Sequence, residues 1–510
     1  MFKKRAINKR LQPKSSLENG PQTEELAEPH NTSNLPLKSD DLTPMIHEKF
    51  NNTSDLKVKK YINLTIYYIE NQINQQELNQ NIIGKIKQAD EITTETVYAS
   101  IAINEVEDTD DLSYAILRMI KGSVALFIEG TPKIILASIP VKESRALSRP
   151  ENESQVTGPQ LGFNESLATN VSVIRRYLST PDLCNEFFVF GTRTNTAVSL
   201  LYIKGIASED LVNRVKHKLN QIEVDALIDS SVLNQHLDDH SWSIFPQMLL
   251  TERPDRVSDG LLNGKIALFV DGSTNVILCP FTFIEFFESR EDYNIRWPIA
   301  TFIRLLRIVA MFLSIFFTSI YVAALTFHYE IIPQALLVPL GESRSRVPFP
   351  PLFEAVLLEF IIELLREAGA RLPTKVGQTM GIVGGIVIGT AAVQAGFTSN
   401  ILLIIVALSA LASFTAPSYT MGNVIRIIRF PILFMAGFLG FYGVMFGFCL
   451  LLIHLIRLSS LGAPYLSPFY PPRFQDWVDS VIRLPMKYTN KRPTLTRPAD
   501  VQKYDPDKVN

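Results

Sequence analysis

The residues of this chain that could do chemistry are charged and polar side chains set among apolar ones. In FPPLFEAVLLEFIIELLREAG, residues 349–369, Glu359, Glu363, Arg366 and Glu367 interrupt a segment that would otherwise be apolar over most of a helix surface. At about 100° per residue, Glu363 lies about 40° from Glu359, Arg366 about 20° on its other side and Glu367 about 80° away. The charges therefore share one stripe, with Phe353, Val356, Leu358, Ile361 and Leu365 elsewhere. A carboxylate at a bilayer centre costs roughly 2.5–3.5 kcal/mol, so Glu359, Glu363 and Glu367 should face protein or water rather than lipid. Two placements follow. One is an amphipathic helix at the membrane interface or packed under the membrane domain; the other is a span whose acidic stripe lines an aqueous or protein interior.

Two further sets stand out. In MGIVGGIVIGTAAVQAGF, residues 380–397, Gly381, Gly385 and Gly389 recur every fourth position, the spacing that lets helix backbones approach closely. They lie about 140–220° around the helix from Gln394, whereas Val387, Thr390 and Ala391 lie within about 60° of it. One face suits helix packing. The other, Val387, Thr390, Ala391 and Gln394, is a candidate pathway lining, or a site of interhelical hydrogen bonding, because a membrane amide needs a polar partner. The third set is Glu252, Arg253, Asp255 and Arg256, crowded around Pro254. It reads as internal ion pairing or as a coupling or assembly contact. Pro254 predicts a turn, after which Asp255 or Ser258 would cap a helix.

Conventional catalysis finds no foothold. The seven histidines are scattered, and no H-E-x-x-H, G-x-S-x-G or P-loop pattern occurs. We expect neither an enzyme nor a cofactor or metal site. A net charge of −2 gives no basic footprint for nucleic acid. Three widely spaced cysteines form no disulfide or zinc pattern.

The elements that must position these residues divide the chain in two. Apolar runs at 308–327, 380–397, 401–416 and 430–456 predict an α-helical polytopic membrane domain over 296–460. A run of twenty residues matches the ~30 Å hydrocarbon core of a bilayer, and the fourth run is long enough to tilt or kink at its glycines. The number of spans stays open between four and six. Arg366, Arg371 and Lys375 together with Arg426 and Arg429 favour five and an external C-terminus, while the basic tail over 461–510 prefers the inside.

Ahead of the membrane domain, residues 1–42 are polar and predict a disordered arm. The basic N-terminus lacks an apolar core, and Arg304 and Arg307 precede the first run. Both point to a cytoplasmic soluble region. That region is an α/β domain of two tandem related subdomains, 43–150 and 151–295. GSVALFIEGTPKIILASIP (122–140) aligns without a gap on GKIALFVDGSTNVILCPFT (264–282), an offset of 142 residues that pairs Phe127 with Phe269, Glu129 with Asp271 and Gly130 with Gly272. Each acidic-Gly step predicts a hairpin. Residues 62–86 resemble 199–219, and SDL (54–56) meets PDL (181–183). Between the copies, Phe163, Leu167, Val171, Ile174 and Leu178 predict a connecting helix with Glu165, Arg175 and Arg176 on its polar side.

The series TERPDRVSDGLLNGKIALFVDGS, EDYNIRW, RLLRIVAMFLS, YVAALTFHYEIIP, RVPFPPLFEAVLLE, LLREAGARLPTKVGQTMGIVGGIVIG, AAVQAGFTS and GAPYLSPFYPP resembles the GerA family of spore germination proteins, A-subunit type. The resemblance runs from about Asn51 to Arg492. It implies the inner membrane of an endospore and a complex with a multispanning B subunit and a lipoprotein C subunit. It also implies an A subunit that couples nutrient sensing to ion release, as an oligomeric channel subunit. A relative of the stage V sporulation AF type, which accompanies a different transport system, shares these motifs.

Overall fold

The computed structural model describes residues 35–87, 92–101, 103, 105–141, 149–150, 153–373, 384–385 and 389–504. In the first subdomain α1 (Ser39–Lys49) precedes β1 (Leu56–Tyr61) and β2 (Leu64–Ile69). Helical segment α2 (75–86), α3 (Thr94–Ser100), β3 (Val106–Thr109) and α4 (Leu112–Ile120) follow, then β4 (Ser123–Ile128) and β5 (Ile134–Ser138). The sheet order is β1-β2-β4-β5-β3, every pair antiparallel. Successive side chains of a strand point to opposite faces. Ala125 and Phe127 accordingly pack under α1 and α4. Val124, Leu126 and Ile128 pack under α2 and α3. Both faces are covered, so β2 and β4 read as unbroken apolar runs.

The second subdomain repeats this plan. It comprises α5 (Leu167–Tyr177), β6 (Leu183–Phe190), β7 (Thr196–Ile203), α6 (Glu209–Asn220), α7 (Ser230–Leu237) and β8 (Leu249–Thr251). It closes with α8 (Pro254–Leu262), β9 (Ile266–Val270) and β10 (Val276–Cys279). Its order, β6-β7-β9-β10-β8, is that of the first sheet strand for strand. The acidic-Gly step has the same task in both copies. Glu129 accepts from Ser39 Oγ at 2.8 Å and Gly130 N donates to Leu37 O at 2.9 Å. Asp271 accepts from Leu167 N at 3.1 Å and Gly272 N donates to Glu165 O at 2.8 Å. Each acid thus sits at the positive end of the first helix of its own copy. The glycines hold φ of +85° and +84°, which a side chain would disfavour.

Two sequence expectations change here. Helix α5 is the second copy's counterpart of α1 rather than a connector, and Arg175 does not lie on a polar face. It is fully buried, with Nε 2.7 Å and Nη2 2.8 Å from the Asp55 carboxylate and Nη2 3.2 Å from Leu183 O. This bidentate pair joins the subdomains, so Arg175 is a structural charge of the interior. Pro254 is the first residue of α8 rather than a turn, a position where its missing N–H costs nothing. Neither Asp255 nor Ser258 caps the helix.

The helices that follow are α9 (Trp297–Phe327), α10 (Gln334–Arg344), α11 (Pro351–Arg371), α12 (Gly389–Gln394), α13 (Asn400–Ser413), α14 (Tyr419–Arg457) and, in the tail, α15 (Phe474–Ser480). By length and apolarity α9 and α14 are able to cross a membrane. Helix α14 is not one rod. Gly440 holds φ 62° and ψ −140°. A Cβ on Gly447 would stand 3.8 Å from Ile432 Cβ, whereas residues fifteen apart on a straight helix are separated by about 22 Å. The helix folds back on itself, with arms over 419–439 and 441–457.

Helix α9 runs antiparallel to the second arm, with Phe316 5.8 Å from Phe448 and His328 5.1 Å from Phe441, ring to ring. Beyond Arg457 the chain returns to the second subdomain. Ser460 Oγ donates to Gln247 O at 2.6 Å, Tyr465 OH to Pro246 O at 2.7 Å and Thr496 Oγ1 to Asn263 O at 2.8 Å. The reversal at Gly440 divides a stretch whose hydropathy over 430–456 is unbroken.

Candidate functional site

Helix α11 carries the site. Pro351 starts it, and its burial selects one face: Glu354, Ala355, Leu358 and Glu359 are buried, whereas Phe353, Phe360 and Leu364 are about half exposed. That face packs against α9, α13 and the first arm of α14. One face of the helix is therefore packed against its neighbours and the other is left open.

Four acidic tiers follow one another along α11. Glu354 accepts from Ser399 N at 2.5 Å and Thr398 Oγ1 at 3.1 Å, with Arg344 at 3.8 Å. Glu359 accepts from Thr318 Oγ1 at 2.9 Å and is ion-paired with Arg429. Arg429 in turn donates to Ser314 Oγ at 2.8 Å and Ser409 O at 3.4 Å, while Ser409 Oγ reaches Ser314 O at 3.0 Å. Glu363 stands 3.4 Å from Arg366 and 4.0 Å from Arg426, and Arg366 donates to Ser413 Oγ at 3.2 Å. Glu367, largely exposed, pairs with Arg371 at 2.6 Å. From Glu354 to Glu367 this line of charge covers about 20 Å of helix. Buried charges need both a partner and further hydrogen bonds, and the Ser314, Thr318 and Ser409 groups of neighbouring helices provide them at the middle tier. α11 and α13 run in the same direction, since Glu354 meets Ser399 and Arg366 meets Ser413. The chain therefore leaves α11 at one end of the bundle and enters α13 at the other.

The structure buries Glu359, leaves Glu363 half-buried and Glu367 exposed, and adds members that the sequence did not mark. Glu354 lies about 140° from Glu359 by helical angle, so no stripe revealed it. Arg429 read only as a charge flanking an apolar run. The polar face of the second run is exposed at Thr390, Ala391 and Gln394. Gly385 has open space where a Cβ would stand, and a Cβ on Gly389 would approach Leu403 Cδ2 only to 3.8 Å. The tight position is Gly384, where a Cβ would meet Leu365 Cδ2 at 2.6 Å. Gly381 and Val387 lie outside the described residues.

The Pro254 knot is internal. Arg253, 1 % exposed, binds Asp255 at 2.8 Å and donates to Pro159 O at 2.8 Å. Arg256 pairs with Glu153 at 2.6 Å, and Glu252 is buried with its carbonyl accepting from Phe163 N at 2.8 Å. These side chains tie the 153–163 segment to α8. At the junction of the two halves, Asp292 receives Arg304 Nε at 2.9 Å and two Arg307 nitrogens at 2.8 Å each. Burial opposes its ionisation, yet these guanidiniums hold its carboxyl below the usual carboxylate range. The start of α9 is pinned to the soluble domain by this triad.

The Bacillus/Clostridium GerA spore germination protein family matches over residues 44–495. Spore germination protein GerQA of Bacillus cereus is 48 % identical over 408 residues, 80 % of each chain. Spore germination protein GerIA of the same organism is 44 % identical over 452 residues, 88 % of this chain and 67 % of its own. Spore germination protein A1 of Bacillus subtilis (strain 168) is 37 % identical over 465 residues, 90 % of this chain and 96 % of its own. Among solved structures, the N-terminal domain of the A subunit of the Bacillus megaterium spore germinant receptor GerK3 matches at 27 % identity and a TM-score of 0.39. It covers 50 % of this chain and 99 % of that one. With the family matched over nearly the whole chain, this protein belongs to the GerA spore germination proteins.

Proposed function

We propose that this chain is the A subunit of a nutrient germinant receptor and that it couples sensing by the receptor to ion release across the spore inner membrane, as one subunit of an oligomeric channel rather than as an enzyme. The observation that carries the reading is the two buried acids of α11, Glu354 beside Arg344 and Glu359 paired with Arg429, continued toward the surface by Glu363 and Glu367. In this reading α9, α11, α13 and both arms of α14 cross the bilayer, and because α11 and α13 run in the same direction the chain changes sides once more between them. The soluble domain and the 459–504 segment then share the cytoplasmic side. The exposed face of Thr390, Ala391 and Gln394 turns toward the symmetry axis, where polar groups of modest strength bind ions weakly enough to release them. The buried tiers of Glu354 and Glu359 lie inside a subunit wall and set the field along the path. A multispanning B subunit and a lipoprotein C subunit complete the receptor. Cytoplasmic attachment through the soluble domain would transmit their state to α9 by way of Asp292 and its two arginines.

The test is reconstitution of the receptor complex in planar bilayers. Discrete nutrient-dependent currents, altered in amplitude by Thr390→Ala or Gln394→Ala, are the expected result. Saturable transport without unitary events would replace the channel with a carrier. A complex that assembles and conducts nothing would leave the chain a scaffold.

A further inference from the structure

Where the soluble domain meets the bundle there is a cavity of about 410 Å³ lined by apolar side chains alone. Phe287 and Phe469 reach it from the soluble side, Ile315 from α9, Ile428 from the first arm of α14 and Leu452 from the second. A water molecule there would find no polar partner, so the space is dry or filled by something apolar. The cavity is not isolated. It shares Phe312, Phe316 and Phe448 with an apolar groove of about 380 Å³ on the outer surface between α9 and α14. Val309, Leu313 and Met445 line that groove and are about half exposed. On helices that cross a bilayer, such a groove faces hydrocarbon, and an acyl chain could pass from it inward between aromatic rings. At the end of the second arm, Arg457 is exposed and makes no ion pair among the described residues, which suits it to an anionic headgroup nearby.

We infer that this cavity is a binding site for one acyl chain of a membrane phospholipid, entering by the groove between α9 and α14 and touching both halves of the protein. The inference rests on the membrane-spanning reading above. Occupancy fills a void that would otherwise loosen the contact between Phe287 and the bundle, so lipid becomes part of the joint through which the soluble domain acts on α9.

The experiment uses the full chain in phosphatidylcholine–phosphatidylglycerol vesicles, with Trp242, Trp297 and Trp477 replaced by Phe. One tryptophan is then introduced, either at Phe287→Trp inside the cavity or at Phe434→Trp on an exposed face of α14. Acyl-brominated phospholipid should quench both reporters. Adding Ile428→Phe or Leu452→Phe, which fills the cavity, should at least halve quenching of the first and leave the second unchanged. Quenching of the exposed reporter alone, or quenching of the cavity reporter that filling does not alter, overturns the acyl-chain site while sparing the membrane reading. No quenching of either overturns both. Native mass spectrometry of the unsubstituted chain in detergent gives an independent readout: a retained phospholipid supports the site, and its complete absence after gentle extraction overturns it.

Discussion

Glu359 and Arg429 have side chains only 2 % and 4 % exposed, and each depends on the other for neutralisation. Removing one member of such a pair leaves an uncompensated buried charge at a cost of roughly 3–5 kcal/mol, whereas replacing both by apolar residues is often close to neutral. We therefore expect Arg429→Leu to abolish a stable fold in detergent and Glu359→Leu combined with Arg429→Leu to restore it. The pathway reading adds that the restored double variant still fails to release ions. Equal loss in the single and double variants by thermal scanning would remove the pair from the core of the argument. A second residue lies in the soluble half. Asp238, capping the end of α7, has a buried oxygen without a hydrogen-bond partner, and burial pushes its carboxyl up to about 6 from 3.8. Because the folded pKa is the higher, folding takes up a proton between these values. Stability is fully present below pH 3.8, falls as pH rises through 6 and stays lower above it. Discounted for partial exposure, the effect is about 1 kcal/mol. Asp238→Asn should raise the melting temperature by about 2 °C at pH 7.5 and leave it unchanged at pH 3.5.

Among the elements, α14 shows how far hydropathy carries. Residues 430–456 of its 39 form one apolar stretch, and the sequence marks it as able to kink at a glycine. What the stretch does not display is a reversal, because a reversal at Gly440 needs no polar loop. It needs one residue at φ 62° and the absence of side chains where the arms touch. A Cβ at Gly440 would meet His328 Cε1 at 2.8 Å, and one at Gly443 would run into Met435 O. In a cysteine-free background, Ile432→Cys with Gly447→Cys should form a disulfide readily, since the Cβ spacing of 3.8 Å lies in the range such a bond requires. A straight helix would hold the two thiols too far apart to react. Failure to cross-link under oxidant in folded protein would refute the hairpin. The soluble elements were far more legible. Alternating and continuous apolar runs, with a glycine after an acid at the same place in each copy, set β4–β5 and β9–β10. The partners of Glu129 and Asp271 at α1 and α5 were not visible, because they lie about ninety to a hundred residues away.

At the scale of the molecule, the tail from Ser459 to Tyr504 lies against the second subdomain, through Arg492 to Leu262 O at 2.8 Å and Ala499 N to Ile206 O at 3.1 Å. Both ends of the helical bundle's chain path therefore share one side with the soluble domain. Native Cys184 and Cys279 are buried and cannot report that side. With the native cysteines removed, Glu223→Cys and Val501→Cys should both resist a membrane-impermeant maleimide in intact protoplasts and both react after permeabilisation. Glu330→Cys, at the far end of α9, should react in intact protoplasts. Labelling of Val501→Cys without labelling of Glu223→Cys would put the tail across the membrane and refute an even number of passes.

Sequence by itself determined the division into a soluble α/β half and an apolar helical half, the duplication, and the stripe of Glu359, Glu363 and Glu367. These are matters of local composition and period, which each segment carries alone. Only the tertiary structure decided which charges are buried and by what they are neutralised: Arg175 by Asp55, Asp292 by Arg304 and Arg307, Glu359 by Arg429. The partners in the first and last pairs stand 120 and 70 residues apart, so no window of sequence contains both. The fold-back of α14 belongs to the same class. Whether a glycine in an apolar helix bends, packs or reverses it depends on what stands opposite, and that is fixed only when the helices meet.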